Sequence, residues 1–231
     1  RYAERIFSIY KELDTELSSM NEKHHGFLRI GSSTTAAQYV LPRYLATFKS
    51  SFPHISLEVL TANTEVIENL LMENKIDLGV VEGKTKRSNL VYTPFLKDEI
   101  VLCTNINNPV KPLITIEELK TFSFVQREHG SGSLEVITSA LQKHHIRWSD
   151  MNIEIVLENN ESIKNYVRYS DSFAFISISA IADELKADRL KIIDVEGLSI
   201  ERYYYFITQQ GEDIQPVKLL IHHMTDNNLK L

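Results

Sequence analysis

Cysteine is nearly missing from this chain: one thiol, Cys103, stands in 231 residues, which rules out an internal disulfide framework. Long apolar runs are missing too, and no stretch approaches the ~18 residues of a membrane-spanning helix. There is no basic run beyond the scattered Lys84-Thr85-Lys86-Arg87, and the formal net charge is −6, so these residues form no nucleic-acid-binding face. No Gly-x-Ser-x-Gly, Walker or zinc-ligand spacing occurs. The pairs His24-His25, His144-His145 and His222-His223 are adjacent residues, which share no helix face; they read as solvated histidines, not metal ligands. Cys103 lies in an apolar strand, where a free cysteine is usually a small buried hydrophobe. The expectation is no metal, no cofactor and no catalytic residue, in a cytosolic protein.

With 43% hydrophobic and 24% charged residues, the chain suits one large domain or two small ones. Tyr2, Ile6, Ile9, Leu13, Leu17 and Met20 recur at helical spacing between polar faces, and Gly26 ends that order. This stripe packs either on the body of the protein or on a second copy as a short coiled coil. The sequence starts at Arg1, with periodicity already running, so it is expected to enter mid-helix as a piece of a longer protein.

From Gly26 onward strand and helix alternate. Phe27–Ile30 leads to a helix with Leu41, Tyr44, Leu45 and Phe48; Ile55, Leu57 and Val59 alternate as a strand; Val66, Ile67, Leu70 and Leu71 return to helical spacing; and Asp77–Val81 closes a third strand. This βαβαβ run predicts a parallel sheet with right-handed crossovers. A second set follows: strand Glu99–Cys103, a helix opened by a Thr115 to Glu118 capping box, strand Phe122–Val125, helix Ser131–His145, strand Ile153–Val156, helix Ser162–Tyr169, strand Phe173–Ile176, helix Ser179–Ala187 and strand Ile192–Ile193. Tyr203–Ile207 is a late strand, and Val217 to Met224 fall in a closing helix. Two α/β lobes emerge.

Each lobe has a hydroxyl-rich turn from strand to helix: Ile30-Gly31-Ser32-Ser33-Thr34-Thr35, and Arg127-Glu128-His129-Gly130-Ser131-Gly132-Ser133. Unpaired N–H groups and partial positive charge at a helix start suit an anionic group, and in open α/β sheets ligands sit beyond the carboxyl ends of the strands. Plain N-capping is the competing reading for either turn, as is an ion pair with Glu128 for Arg127.

Gly26–Thr35, Tyr39-Val40-Leu41-Pro42, Phe52-Pro53, Ile76–Gly83, Asp98–Leu102 and Arg127-Glu128-x-Gly130-Ser131-Gly132, in this order and spacing, resemble the effector-binding part of LysR-type transcriptional regulators. The resemblance implies an α/β fold of two Rossmann-like subdomains, periplasmic-binding-protein-like of type II, preceded by a linker helix. It implies a dimerising linker over residues 1–23, subdomain I over 26–96 plus 208–231 and subdomain II over 97–207, with crossovers at about Phe95 to Lys97 and near Thr208. It places a small anionic effector between the lobes, against Ser33, Thr34, Thr35, Asn63, Thr64, Arg127, Glu128, Gly130, Ser131 and Ser133. It further implies a homodimer or tetramer, with promoter DNA read by an upstream winged helix-turn-helix. Two departures stand out. Leu134 replaces an arginine, and Tyr169-Ser170-Asp171-Ser172 replaces a glycine-rich stretch, placing a carboxylate and two hydroxyls near the cleft. A secreted solute-binding protein and a transferase on the same scaffold are the alternatives. The amphipathic first helix counts against the former, and the placement of Cys103 against the latter.

Removing residues 1–23 is expected to lower the mass in sedimentation toward that of a monomer. An unaltered mass shows that this helix is not the principal contact between copies.

Overall fold

The computed structural model describes residues 26–83, 87–211 and 214–228, so the expected linker helix lies outside the described residues. Strand β1 (Gly26–Ser33) buries Leu28 and Ile30 completely. A π-helical turn, Ala36–Val40, leads into α1 (Leu41–Ser51). Pro42 sits in the first turn of α1, where its missing N–H costs nothing. Leu41, Tyr44 and Phe48 form its buried stripe. Strand β2 (Ile55–Ala62) pairs parallel with β1, and β3 (Leu78–Glu82) pairs parallel on the other side of β1. Between them runs α2 (Thr64–Met72), capped by Asn63, whose Oδ1 accepts from Val66 N at 3.0 Å. The expected βαβαβ run is thus present.

Strand β4 (Leu90–Asn105) carries the chain onward to β5 (Leu113–Ile114), β6 (Ser123–Arg127) and α3 (Gly132–Gln142). Then come β7 (Asn152–Leu157), α4 (Asn160–Arg168), β8 (Phe173–Ser177), α5 (Ile178–Lys186), β9 (Leu190–Val195), β10 (Ile200–Gln209) and α6 (Gln215–Asn228). The sheet order is β2-β1-β3-β10-β4-β8-β6-β7, with β9 on β4 and β5 on β9. Leu28, Phe48, Leu78, Phe206 and Met224 share one core. Leu119, Phe124, Val136, Phe173 and Ile193 share another. The antiparallel pair β4 and β10 runs through both halves, β10 pairing β3 and β4 pairing β8.

Strand β4 begins well before the expected Glu99, because Pro94 hides it in the sequence pattern. Tyr204 faces Leu96 and Tyr205 faces Pro94, which leaves Phe95 as a bulge, a place where a strand tolerates proline. Tyr204–Ile207 pair with β3, and Tyr204 and Phe206 lie in the first core. Strand β10 therefore passes between the halves around Arg202 and Tyr203, upstream of the expected Thr208. Thr115 and Glu118 do bond, N–H to Oε2 at 2.7 Å, but the pair opens only a short 3-10 turn, Glu117–Thr121. The chain must enter β6 at once.

On the outer side of β1, Arg29 grips Asp77 through Nη2–Oδ1 at 2.6 Å and its own backbone N–H at 2.8 Å. Burial works to raise the Asp77 carboxyl, and the bonds and charge of Arg29 more than reverse this, leaving it below the usual carboxylate range. A carboxyl depressed in the folded state gives stability above its unfolded value, ~3.9, that is lost as pH falls through the folded value. In thermal melts, Arg29→Met should therefore lower Tm most near neutral pH, and the gap to the wild type should narrow below about pH 4. A gap independent of pH contradicts this assignment.

Candidate functional site

The two hydroxyl turns and the start of α2 meet along one seam between the halves. Arg127 Nη2 donates to Thr34 Oγ1 at 3.0 Å, and Asn160 Nδ2 donates to Thr35 Oγ1 at 3.0 Å. Asn63 Nδ2 donates to the His129 carbonyl at 3.2 Å, and Glu65 N donates to the Gly130 carbonyl at 3.2 Å. Gly130 takes φ +82 there, left-handed backbone that favours glycine. Other expected residues face inward on their own side. Ser131 Oγ caps α3 by accepting from Leu134 N at 3.3 Å, which is the plain capping role. Thr64 Oγ1 donates to the Glu82 carbonyl at 2.8 Å.

Beneath the seam lies a buried charged cluster to which the sequence pattern assigned no role. Arg202 donates through Nε to Asp98 Oδ2 at 2.8 Å, through Nη1 to Ser133 Oγ at 2.6 Å and through Nη2 to Tyr204 OH at 2.9 Å. Its Nη1 also stands 3.4 Å from Glu82 Oε1. The Glu82 carboxylate accepts from Ser33 Oγ at one oxygen and from Ser133 Oγ, at 3.1 Å, at the other. Asp98 accepts from Ser177 Oγ at 3.0 Å and Ser179 Oγ at 3.2 Å. Burial acts to lower the Arg202 pKa, but Tyr204, Glu82 and Asp98 outweigh it and raise it further. Arg202 thus stays charged. Burial, with the two carboxylates, pushes the Tyr204 phenol above its ordinary value despite Arg202. Two signals were available in the sequence: Glu82 ends a strand buried throughout, and Arg202 interrupts the apolar strand β10.

Arg127 is another inward cation. Glu128 holds its Nε at 2.8 Å and its Nη2 at 3.0 Å, as the competing reading expected. The pair is not a surface one, however, since the Arg127 side chain is only 3% exposed. Among the described residues its Nη1 is buried with no hydrogen-bond partner. A buried guanidinium N–H without an acceptor is costly.

A second bridge flanks the seam. Tyr39, from the first lobe, donates to Glu161 on α4, and Lys164 Nζ reaches Glu161 at 2.8 Å and Glu184 at 3.1 Å. Lys164 also lies 5.2 Å from the centre of the Tyr39 ring. Tyr39 is raised above the ordinary phenol value by burial and by Glu161.

Tyr169–Ser172 lies away from the seam, contrary to expectation. It feeds the N-terminal end of β8, whereas the seam sits at the carboxyl ends of the parallel strands. Asp171 and Ser172 instead line a cavity of about 480 Å³ with Asn108, Ser123 and Glu154. His223 is not simply solvated: it packs edge-on to Phe48 at 5.5 Å and bonds Thr47 Oγ1 at 2.9 Å. His222 pairs with Asp226 at 3.2 Å, and His24-His25 lie outside the described residues. Cys103 is fully buried, and burial pushes its thiol up to about 12, which makes it a poor nucleophile. Among the described residues no group of three His, Cys, Asp or Glu is placed to hold a metal, and no helix is long and apolar enough to cross a membrane.

The family model for the LysR substrate binding domain matches residues 21–228. A "Probable RuBisCO transcriptional regulator" of Guillardia theta is 32% identical over 213 residues, covering 90% of this chain and 69% of that protein. The HTH-type transcriptional regulator CbbR of Rhodospirillum rubrum is 29% identical over 212 residues, covering 92% and 70%. Among solved structures, the Synechocystis PCC6803 CcmR regulatory domain in complex with 2-PG superposes with a TM-score of 0.80 at 25% identity, covering 88% of this chain and 98% of that one.

The closest backbone approach at the seam is at Gly132. A Cβ on Gly132 would lie 1.8 Å from the Glu82 carbonyl oxygen, and backbone there has no room to give. Gly132→Ala should cost about 1–3 kcal/mol as overpacking, read as a fall of roughly 2–12 °C in Tm. Ser131→Ala should lose only a cap, about 1 kcal/mol. Equal melting of Gly132→Ala and wild type shows that the approach is not a constraint.

Proposed function

This chain belongs to the LysR substrate-binding-domain family of transcriptional regulators and has their type II periplasmic-binding-protein-like fold, and from that premise we propose that it senses a small anion in the seam between its lobes. One observation carries this reading: Arg127 Nη1 is buried without an acceptor, beside the Thr34 hydroxyl that Nη2 already touches. An anionic oxygen there completes the guanidinium with a charge-assisted bond and meets the unpaired N–H groups at the start of α3. Thr34, Arg127, Glu128, Gly130 and the α3 start form the contact face. Ser33, Thr35, Asn63, Thr64, Ser131 and Ser133 hold that face in shape, bonded as described above. The reaction is binding, with no bond made or broken. The signal passes through homodimer or tetramer contacts to a DNA-reading domain, in the cytoplasm, with subdomains on either side of the β4–β10 crossing as the moving units.

Inorganic phosphate, a small anion able to meet both Arg127 Nη1 and the Thr34 hydroxyl, is the first probe. Calorimetry should show binding to the wild type, weakened about tenfold by Thr34→Ala and by Arg127→Lys, since a hydrogen bond to a charged group contributes about 1.5 kcal/mol. Thermal unfolding should show both variants folded. Equal affinity in all three proteins removes Thr34 and Arg127 from the site.

A further inference from the structure

The hydroxyls that the two turns offer to an anion are already occupied in part, by a carboxylate of this chain. Ser33 Oγ, on the first turn, and Ser133 Oγ, on the second, both donate to Glu82. Glu82, Ser33 and Ser133 are all buried, whereas Thr34 and Glu128 are partly exposed. The seam therefore has an inner half, filled by Glu82, and an outer half, where Arg127 Nη1 lacks an acceptor. The inner half also has a charge excess, because Glu82 and Asp98 face the single guanidinium of Arg202. A second anion arriving there meets an unbalanced carboxylate in a site where water cannot screen it.

We infer that Glu82 is a tethered anion that fills the inner half of the interlobe site and confines the effector's own anionic group to the outer half, beside Arg127 and Thr34. This rests on the ligand reading above and extends it to specificity. The ligand class is a molecule with an anionic group at one end and a neutral or hydrogen-bond-donating group at the other, the donor turned toward Glu82. Molecules anionic at both ends are turned away.

The test uses the whole chain and small anions. Glu82→Ala deletes a group the size of acetate, leaving Ser33 Oγ, Ser133 Oγ and Arg202 Nη1 around the gap. Acetate, against matched chloride, should raise the Tm of Glu82→Ala by roughly 3–6 °C once it exceeds its Kd about tenfold. It should shift the wild type and Glu82→Ala/Ser133→Ala by less than half as much. Acetate that shifts wild type and Glu82→Ala alike, or neither, overturns the inference. Should Glu82→Ala not fold, Glu82→Gln decides, since it keeps the shape and removes the charge. Inorganic phosphate should bind it at least tenfold more tightly than it binds the wild type, and equal affinity overturns the inference. The ligand reading fails separately. Thr34→Ala with unaltered phosphate affinity, alongside intact acetate rescue, removes the outer contact and leaves the tethered anion standing.

Discussion

A guanidinium held between two buried carboxylates joins the halves of this molecule. Arg202 lies on the strand that crosses between lobes, with Asp98 on the other crossing strand and Glu82 at the end of β3. Removing three ions from water costs several kcal/mol each, and only near-complete pairing and hydrogen bonding offsets that. The pairing is supplied from both sides: Ser133 from α3, Ser177 and Ser179 from the β8–α5 turn, and Tyr204 from β10. Parting the lobes near Arg202 would leave these ions unsatisfied.

That constraint explains residue choices that look unremarkable by themselves. The α3 start must come against the end of β3, so Gly132 lies where a Cβ would strike the Glu82 carbonyl. The Phe95 bulge bends β4 where it leaves the first core, and its ring stacks on Phe206 at 4.2 Å. Arg127 is the counterpart of Arg202 nearer the surface. Where Arg202 is given two carboxylates and two hydroxyl-bearing side chains, Arg127 has one carboxylate, one hydroxyl and a bare Nη1. A site meant to stay shut would be completed like the first; one left incomplete is suited to a ligand.

The alternation of strand and helix was legible because it rests on local periodicity, and Ser131 was legible as a helix start because capping is local chemistry. The hydroxyl turns could be placed at the carboxyl ends of strands for the same reason. The Arg202 cluster could not be read so, because it joins residues far apart in the chain: Glu82–Ser33 and Arg202–Asp98 exist only once strands pair, and Glu82–Ser133 and Arg202–Ser133 only once the lobes meet. Tyr169–Ser172 went astray for a related reason. Its polar character is evident in the sequence, but which end of a parallel strand a loop serves depends on topology. Pro94 concealed the first half of β4 because a bulge is a pairing event, invisible in one strand.

Away from the crossing, the seam is closed by few bonds. Arg127–Thr34, Asn160–Thr35, Asn63–His129, Glu65–Gly130 and Tyr39–Glu161 bridge the halves. At about 1 kcal/mol net apiece, they hold the closed arrangement by about 5 kcal/mol. Turning a two-state population from 1:99 to 99:1 takes about 5.5 kcal/mol of differential affinity. A ligand with micromolar affinity, about 8 kcal/mol, has that much to give only if most of its binding energy depends on the arrangement of the lobes. An anion held by both Arg127 and Thr34, as proposed, would meet this condition, because those two side chains come from opposite lobes. A ligand held by one lobe alone would bind equally in both arrangements and shift neither.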